Sequence, residues 1–123
     1  MGRIIAIANQ KGGVGQTTSA LNCATSLGVL GKRVLLIDLD PQANSTSALG
    51  IPKNSVKHSI YDIFTEKANN VCEAIIETRY KNLSIIPSNM SFASIEAELS
   101  ALPGRESYLK RIVKKIDELD LFD

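Results

Sequence analysis

Lys11-Gly12-Gly13-Val14-Gly15-Gln16-Thr17-Thr18 is the stretch on which the reading of the fold turns. It follows an unbroken apolar run, Ile4-Ile5-Ala6-Ile7-Ala8, and opens a segment with helical periodicity from Ala20 to Leu30. A continuously apolar strand, a glycine-rich turn and a helix N-terminus together predict a phosphate-binding loop. The glycines let the backbone fold tightly around an oxyanion, and the first N–H groups of the helix point at it with the helix dipole behind them.

The general phosphate-loop pattern asks for Gly, four residues, then Gly-Lys-Ser/Thr. Gln10 stands where the first glycine would be, and Gln16 stands where the lysine would be. Lys11 ahead of Gly12-Gly13 resembles instead the deviant Walker A loop of the ParA/MinD superfamily of P-loop ATPases, Lys-Gly-Gly-x-Gly-Lys-Thr-Thr. Seven of these eight positions agree, counting the free one, and Gln16 is the departure.

A second apolar strand, Val34-Leu35-Leu36-Ile37, runs into Asp38-Leu39-Asp40-Pro41-Gln42-Ala43-Asn44-Ser45-Thr46. In a parallel sheet this strand ends on the same edge as the glycine-rich turn, and ligands of open α/β sheets collect at that carboxyl edge. Two carboxylates one residue apart suit a magnesium ion, a water or both. The segment resembles switch I of ParA proteins, where Asp-x-Asp-Pro-Gln precedes a small residue and Asn or Ser. MinD proteins resemble it less, and nitrogenase iron-protein relatives need cluster cysteines that Cys23 and Cys72 do not supply.

With 123 residues, 44% hydrophobic and 22% charged, the chain has the composition of one soluble α/β domain. The net charge of +1 exerts no global pull toward nucleic acid or membrane. Two cysteines without metal-type spacing suggest a reducing cytosol, and Cys23, among Ala20, Leu21, Ala24 and Leu27, reads as a small core residue. The first apolar run is too short for a signal peptide or a membrane span, and the start does not continue as a myristoylation motif.

Along the chain, strands are expected at Arg3 to Ala8, Val34 to Ile37 and Leu83 to Ile86, the first two continuously apolar as suits strands covered on both faces. Helices are expected from Gly15 to Leu30, stopped by Gly31, and from Ser59, with Asp62 as its capping partner. Further helices are expected at Val71 to Glu77, Ser91 to Leu102 and about Glu106 to Leu119. Residues 43–57 are loop with about one helical turn. The last helix carries an apolar stripe of Leu109, Ile112, Val113, Ile116 and Leu119. Lys110, Arg111, Lys114 and Lys115 form a basic cluster read as a solvated face, and His58 is expected to stand alone without partners and is assigned no chemistry.

Ser59-Ile60-Tyr61-Asp62, Asn82 to Asn89 and Ile95 to Leu99 also look like ParA/Soj stretches, so the likeness covers nearly every residue. The resemblance implies an α/β fold: a P-loop NTPase-type parallel sheet with flanking helices, of which residues 1–123 are the N-terminal part of one domain, about three strands. The Walker B strand and later elements of the family would lie beyond residue 123. The backbone of Gly12, Gly13, Val14, Gly15, Gln16, Thr17 and Thr18 would cradle the phosphates of ATP. Thr17 would ligate Mg2+ with Asp38 supporting its shell, and Thr18 would reach the α-phosphate. Asp40 would orient the attacking water, and Lys11 would reach the partner's phosphates across a nucleotide-sandwich homodimer with Gly12 at its seam.

The role implied is chromosome or plasmid partition: an ATP-closed dimer that binds DNA non-specifically and works with a ParB-type centromere-binding protein, cytoplasmic and nucleoid-associated. Gln16 predicts weak ATP binding and hydrolysis near background. A charge-assisted hydrogen bond is worth about 1.5–3 kcal/mol against about 1 for a neutral one, and the transition state depends more on charge than the ground state does. An isolated substitution in a loop otherwise intact reads as an inactivated variant, with a non-catalytic regulatory or dimerisation protein as the alternative. A MinD-like membrane-cycling ATPase is the weakest reading.

Overall fold

The computed structural model describes residues 2–7, 16–52, 55–65, 71–89, 97–98 and 106–123, with backbone alone at residues 16, 17 and 106. Helix α1 (Gln16–Val29) opens the regular structure, ahead of strand β1 (Val34–Ile37) and the single-turn helix α2 (Asn44–Ala48). Helix α3 (Ile60–Phe64), a 3-10 turn (Val71–Ala74) and strands β2 (Ile76–Glu77) and β3 (Leu83–Ile86) follow. Helix α4 (Glu106–Glu118) is the last element.

The sheet has the order β1-β3-β2. β1 and β3 are parallel, with Val34 opposite Leu83 and Ile37 opposite Ile86, while β2 runs antiparallel, Ile76 opposite Ile85. The sheet is therefore mixed: its two principal strands have the expected bounds and direction, and a short antiparallel edge strand joins them. The ladder continues past both ends of β1, through Val34 N–H to Asn82 O at 2.8 Å and Asp38 N–H to Ile86 O at 3.1 Å.

Alternation along these strands feeds two cores. On one face Leu83 and Ile85, with Val34 and Leu36 beside them, pack against Ala24 of α1 and Leu49. On the other, Ile86, Leu35 and Ile37 meet Ile60 of α3, Val71 and Ala74 of the 3-10 turn, and Ile112 and Ile116 of α4. Helices thus cover both faces, which is why consecutive positions of β3 are apolar and buried.

α1 sits unusually close to the start of β3. A Cβ added at Gly28 would fall 2.2 Å from Lys81 O, and Asn82 Nδ2 donates to Gly28 O at 3.0 Å. The helix ends where Gly31 predicts, at φ +96°, with Lys32 N–H bonded to Leu27 O and Gly31 N–H to Gly28 O. That paired pattern closes the last turn and satisfies its carbonyls.

Four expectations change. Residues 2–7 do not form a strand: Ile4 and Ile5 are 71% and 58% exposed, and Gly2 and Arg3 donate to Asp117 Oδ1 (2.6 Å) and Asp123 O (2.7 Å) at the far end of the chain. An apolar run becomes a buried strand only where a ladder and two covering layers meet it, and in the described residues those layers close over β1 and β3. Cys23 is exposed rather than core, because Ala24 and its helical neighbours, one position round the axis, turn toward the sheet. The segment expected as a helix at Val71 to Glu77 is the 3-10 turn followed by β2. His58 does have a neighbour, its Nε2 lying 3.9 Å from Glu73 Oε2. Of the helix expected at Ser91 to Leu102, residues 97–98 are helical and the remainder lies outside the described residues.

Candidate functional site

Both parallel strands end on one edge, and the chain leaves each of them through small polar and acidic residues. β1 runs into Asp38 and Asp40; β3 runs into Pro87, Ser88 and Asn89. α1 precedes β1 through a short turn and packs along β1 and β3, so its N-terminal end points back toward this same edge.

Asp38 is buried, 4% exposed, and three hydrogen bonds converge on its carboxylate. Oδ1 accepts from Asp40 N–H at 3.0 Å; Oδ2 accepts from Thr46 N–H at 3.0 Å and from Thr46 Oγ1 at 2.7 Å. Loss of solvent pushes its pKa above the ordinary carboxylate value, and the hydrogen bonds from Thr46 and Asp40 N–H oppose that rise.

Asp40 lies two residues further out, half-buried, and bonds locally. Its Oδ1 accepts from Gln42 N–H at 3.0 Å, and its Oδ2 from Asn44 Nδ2 at 2.7 Å and Asn44 N–H at 3.4 Å. Ala43, between them, adopts the left-handed conformation at φ 55° and provides no side-chain cap for α2. The two aspartates serve instead, each carboxylate accepting first-turn amides that would otherwise be unpaired. The Asp-x-Asp-Pro-Gln spacing thus produces a turn folded around its own carboxylates.

The exit of β3 closes on this turn. Ser88 N–H donates to Thr46 Oγ1 at 3.2 Å, while the buried Ser88 Oγ makes no hydrogen bond among the described residues. Asn89 Nδ2 donates to Ser59 Oγ at 2.9 Å, and Ile60 N–H to Pro87 O at 2.8 Å, which docks the start of α3 on the same edge. The expected Ser59–Asp62 capping box is present, with Ser59 N–H donating to Asp62 Oδ2 at 2.8 Å.

Among the sequence-predicted site residues, Asp38 and Asp40 are therefore brought together on the edge. Lys11, Gly12, Gly13, Val14 and Gly15 lie outside the described residues. Gln16, Thr17 and Thr18 are the first residues of α1, so a helix does begin where the glycine-rich turn ends. Thr46, Ser88, Ser59 and Asn89 were not singled out as site residues by sequence; the faint signal was a Thr in the first turn after an acidic pair. A cleft of about 440 Å3 opens elsewhere, beside β2, with Leu49, His58, Glu73 and Arg79 among its lining.

The donor chemistry fits a magnesium ion bound mainly through phosphates. A carboxylate offers about four lone-pair positions, and the described residues take three on each aspartate, leaving one hard oxygen site apiece among them. Magnesium characteristically uses one or two carboxylates, keeps several waters and takes the rest from substrate phosphates. Among the described residues no cluster of three or more His, Cys, Asp or Glu side chains could hold a metal without such help.

Comparison with known proteins bears on the same architecture. A family model described as AAA domain (AAA_31) matches residues 2–123. Sporulation initiation inhibitor protein Soj of Bacillus subtilis is 47% identical over 118 residues, 96% of this chain and 46% of that protein. Cobyrinic acid a,c-diamide synthase from Mycobacterium smegmatis, solved with bound ADP and magnesium, superposes with a TM-score of 0.85 at 37% identity, over 95% of this chain and 47% of that one. A plasmid partition protein from Borrelia burgdorferi gives a TM-score of 0.80 at 32% identity, over 100% of this chain and 54% of that one. The chain thus spans about half the length of these relatives.

Proposed function

The chain belongs to the AAA_31 family of AAA domains, and on that premise we propose that it is the phosphate-loop part of a ParA/Soj-type partition ATPase. The observation that carries this reading is the Asp38–Asp40 turn at the carboxyl edge of the parallel pair, with α1 aimed at the same edge. The plasmid partition protein supports the partition role, and the neighbour solved with ADP and magnesium supports Mg-ATP as the ligand.

In this reading the amides from Gly12 to Thr18 receive the phosphates, helped by the N-terminus of α1. Thr17 and the free lone pair of Asp38 hold magnesium, whose charge would offset that of the transferring phosphoryl group. Asp38 has a second task visible in its hydrogen bonds: it pins the backbone of Asp40 and the first turn of α2. Asp40, nearer the surface, orients the attacking water. Lys11 adds positive charge across a homodimer seam at Gly12, Asp38 and Asp40 staying with their own protomer. The dimer, its non-specific hold on DNA and a ParB-type partner belong to the whole protein. Gln16 is neutral where the deviant Walker A pattern has lysine, so hydrolysis is expected near background. Such a chain would bind and dimerise without turnover.

Calorimetric titration of Mg-ATP into this chain and its Gln16→Lys form is the test. The lysine form is expected to bind roughly 2- to 30-fold more tightly, the ratio that a charge-assisted rather than neutral hydrogen bond supplies. Absence of binding in both forms, with the fold intact by circular dichroism, would refute nucleotide binding by this chain.

A further inference from the structure

We propose that Thr46 is a positioning residue for Asp40: its hydroxyl latches the acidic turn to the ends of both parallel strands at once. The path is continuous. Ser88 N–H, beyond β3, donates to Thr46 Oγ1 at 3.2 Å, and Thr46 Oγ1 donates to Asp38 Oδ2 at 2.7 Å. Asp38, beyond β1, accepts from Asp40 N–H on its other oxygen at 3.0 Å. Thr46 is 1% exposed, Ser88 3% and Asp38 4%, so water does not compete for these bonds.

A hydroxyl is required at this place because it must donate and accept together. The side facing Asp38 needs a donor, since a carboxylate only accepts; the side facing Ser88 needs an acceptor, since a backbone amide only donates. Valine would fill the same volume and do neither. Serine would do both and leave a small void. The hydroxyl of Ser88 stands outside this path: its Oγ bonds to none of the described residues, and only its main-chain N–H enters.

The consequence is that the backbone of Asp40 is fixed through Asp38 and Thr46, while its carboxylate keeps its own local partners in Gln42 and Asn44. The part Asp40 plays in hydrolysis rests on the ATPase reading; the latch does not, and it is measured without nucleotide.

Amide hydrogen exchange by NMR on the unsubstituted chain and on Thr46→Val, Thr46→Ser and Ser88→Ala tests the latch. Thr46→Val should speed exchange of the Asp40 and Ser88 amides by about tenfold, the weight of one hydrogen bond, with Ile85 in β3 unchanged. Thr46→Ser should restore slow exchange, and Ser88→Ala should leave it untouched. A packing role alone predicts the reverse order, with valine silent and serine loosened, and that result would overturn the proposal. Should Thr46→Val fail to fold, the unsubstituted chain decides: Asp40 and Ser88 amides exchanging as fast as unstructured residues would end the idea. Failure to bind ATP with slow exchange at both amides would remove the ATPase reading and leave the latch standing.

Discussion

Gly28→Ala sets two opposed effects against each other, and the geometry decides the sign. Alanine in a helix interior is favoured over glycine by about 1 kcal/mol, so propensity alone predicts a more stable protein. At Gly28, however, the new Cβ would sit 2.2 Å from Lys81 O and 3.4 Å from Lys81 C, both main-chain atoms at the turn into β3. Non-bonded heavy atoms settle near 3.5 Å, so α1 must lift from β3 by about 1 Å. That lift strains the packing of Ala24 on Leu83 and Ile85 and stretches the 3.0 Å bond from Asn82 Nδ2 to Gly28 O. Overpacking against backbone costs about 1–3 kcal/mol and the weakened hydrogen bond up to about 1 more, which outweighs the propensity gain. The net expectation is a loss of about 0–3 kcal/mol, centred near 1.5, or a urea midpoint lower by roughly 1 M for a chain of this size. Cys23→Ala, on the same helix but exposed, is the control: it should gain a few tenths of a kcal/mol from propensity with nothing to displace. A higher midpoint for Gly28→Ala would refute the close seating of α1, and with it the placement of the helix on which the proposed phosphate loop depends.

The acid limb of stability should report the Arg33–Asp123 pair, whose side chains approach to 3.0 Å. The Arg33 guanidinium and backbone N–H hold the Asp123 pKa down to about 2 from an ordinary 3.8, so its contribution is present above pH 3.8 and is lost as pH falls toward 2. Relative to Asp123→Asn, the unsubstituted protein should therefore lose stability across that window in urea titrations; curves that stay parallel down to pH 2 would contradict it. Asp38 acts in the opposite sense, its raised pKa giving stability that is present below pH 3.8 and lost as pH rises through the raised value. Because Asp38 is common to both proteins, its effect cancels in the comparison. Ser88→Ala removes a buried hydroxyl without a hydrogen-bond partner, so thermal unfolding should show stability unchanged or raised by up to about 1 kcal/mol; a larger loss would mean that the hydroxyl has a partner.

What the sequence made legible are the elements whose signal is local. Val34–Ile37 and Leu83–Ile86 are strands over the expected residues because isoleucine, valine and leucine side chains dominate them between polar turns, Ser84 being the one polar position. Gly31 stops α1 and the Ser59–Asp62 box starts α3, each through bonds made within a few residues. The apolar run at Ile4 to Ile7 carries the same local signal and fails, since burial is decided by which layers come to cover it. β2 has only two residues, and its direction is set by the turn at residues 78–82, where Thr78 N–H and Oγ1 both reach Leu83 O. The Asp38–Asp40 pair was readable from its spacing. Its partnership with Thr46 and Ser88 was not, because the contact between Thr46 and Ser88 spans 42 residues of chain and involves types that occur on any surface.

The way the acidic turn is held also bears on which form of nucleotide it would accept. Among the described residues, the donors to Asp38 and Asp40 are the amides of residues 40, 42, 44 and 46, the Thr46 hydroxyl and the Asn44 side-chain amide. All are neutral. They stabilise the carboxylates by direction, as hydrogen bonds, without cancelling their charge, so the edge remains negative while the turn remains folded. Phosphates bound beside such an edge would bring further negative charge to it. In the proposed reading that repulsion is relieved by cations: one side chain in the usual loop pattern, Lys11 across the seam, and the metal that accompanies the nucleotide. Gln16 withdraws the first of these. Binding by this chain therefore leans more heavily on the divalent ion than binding by a lysine-bearing loop would, and free nucleotide is the species that the neutral-donor turn is least able to receive.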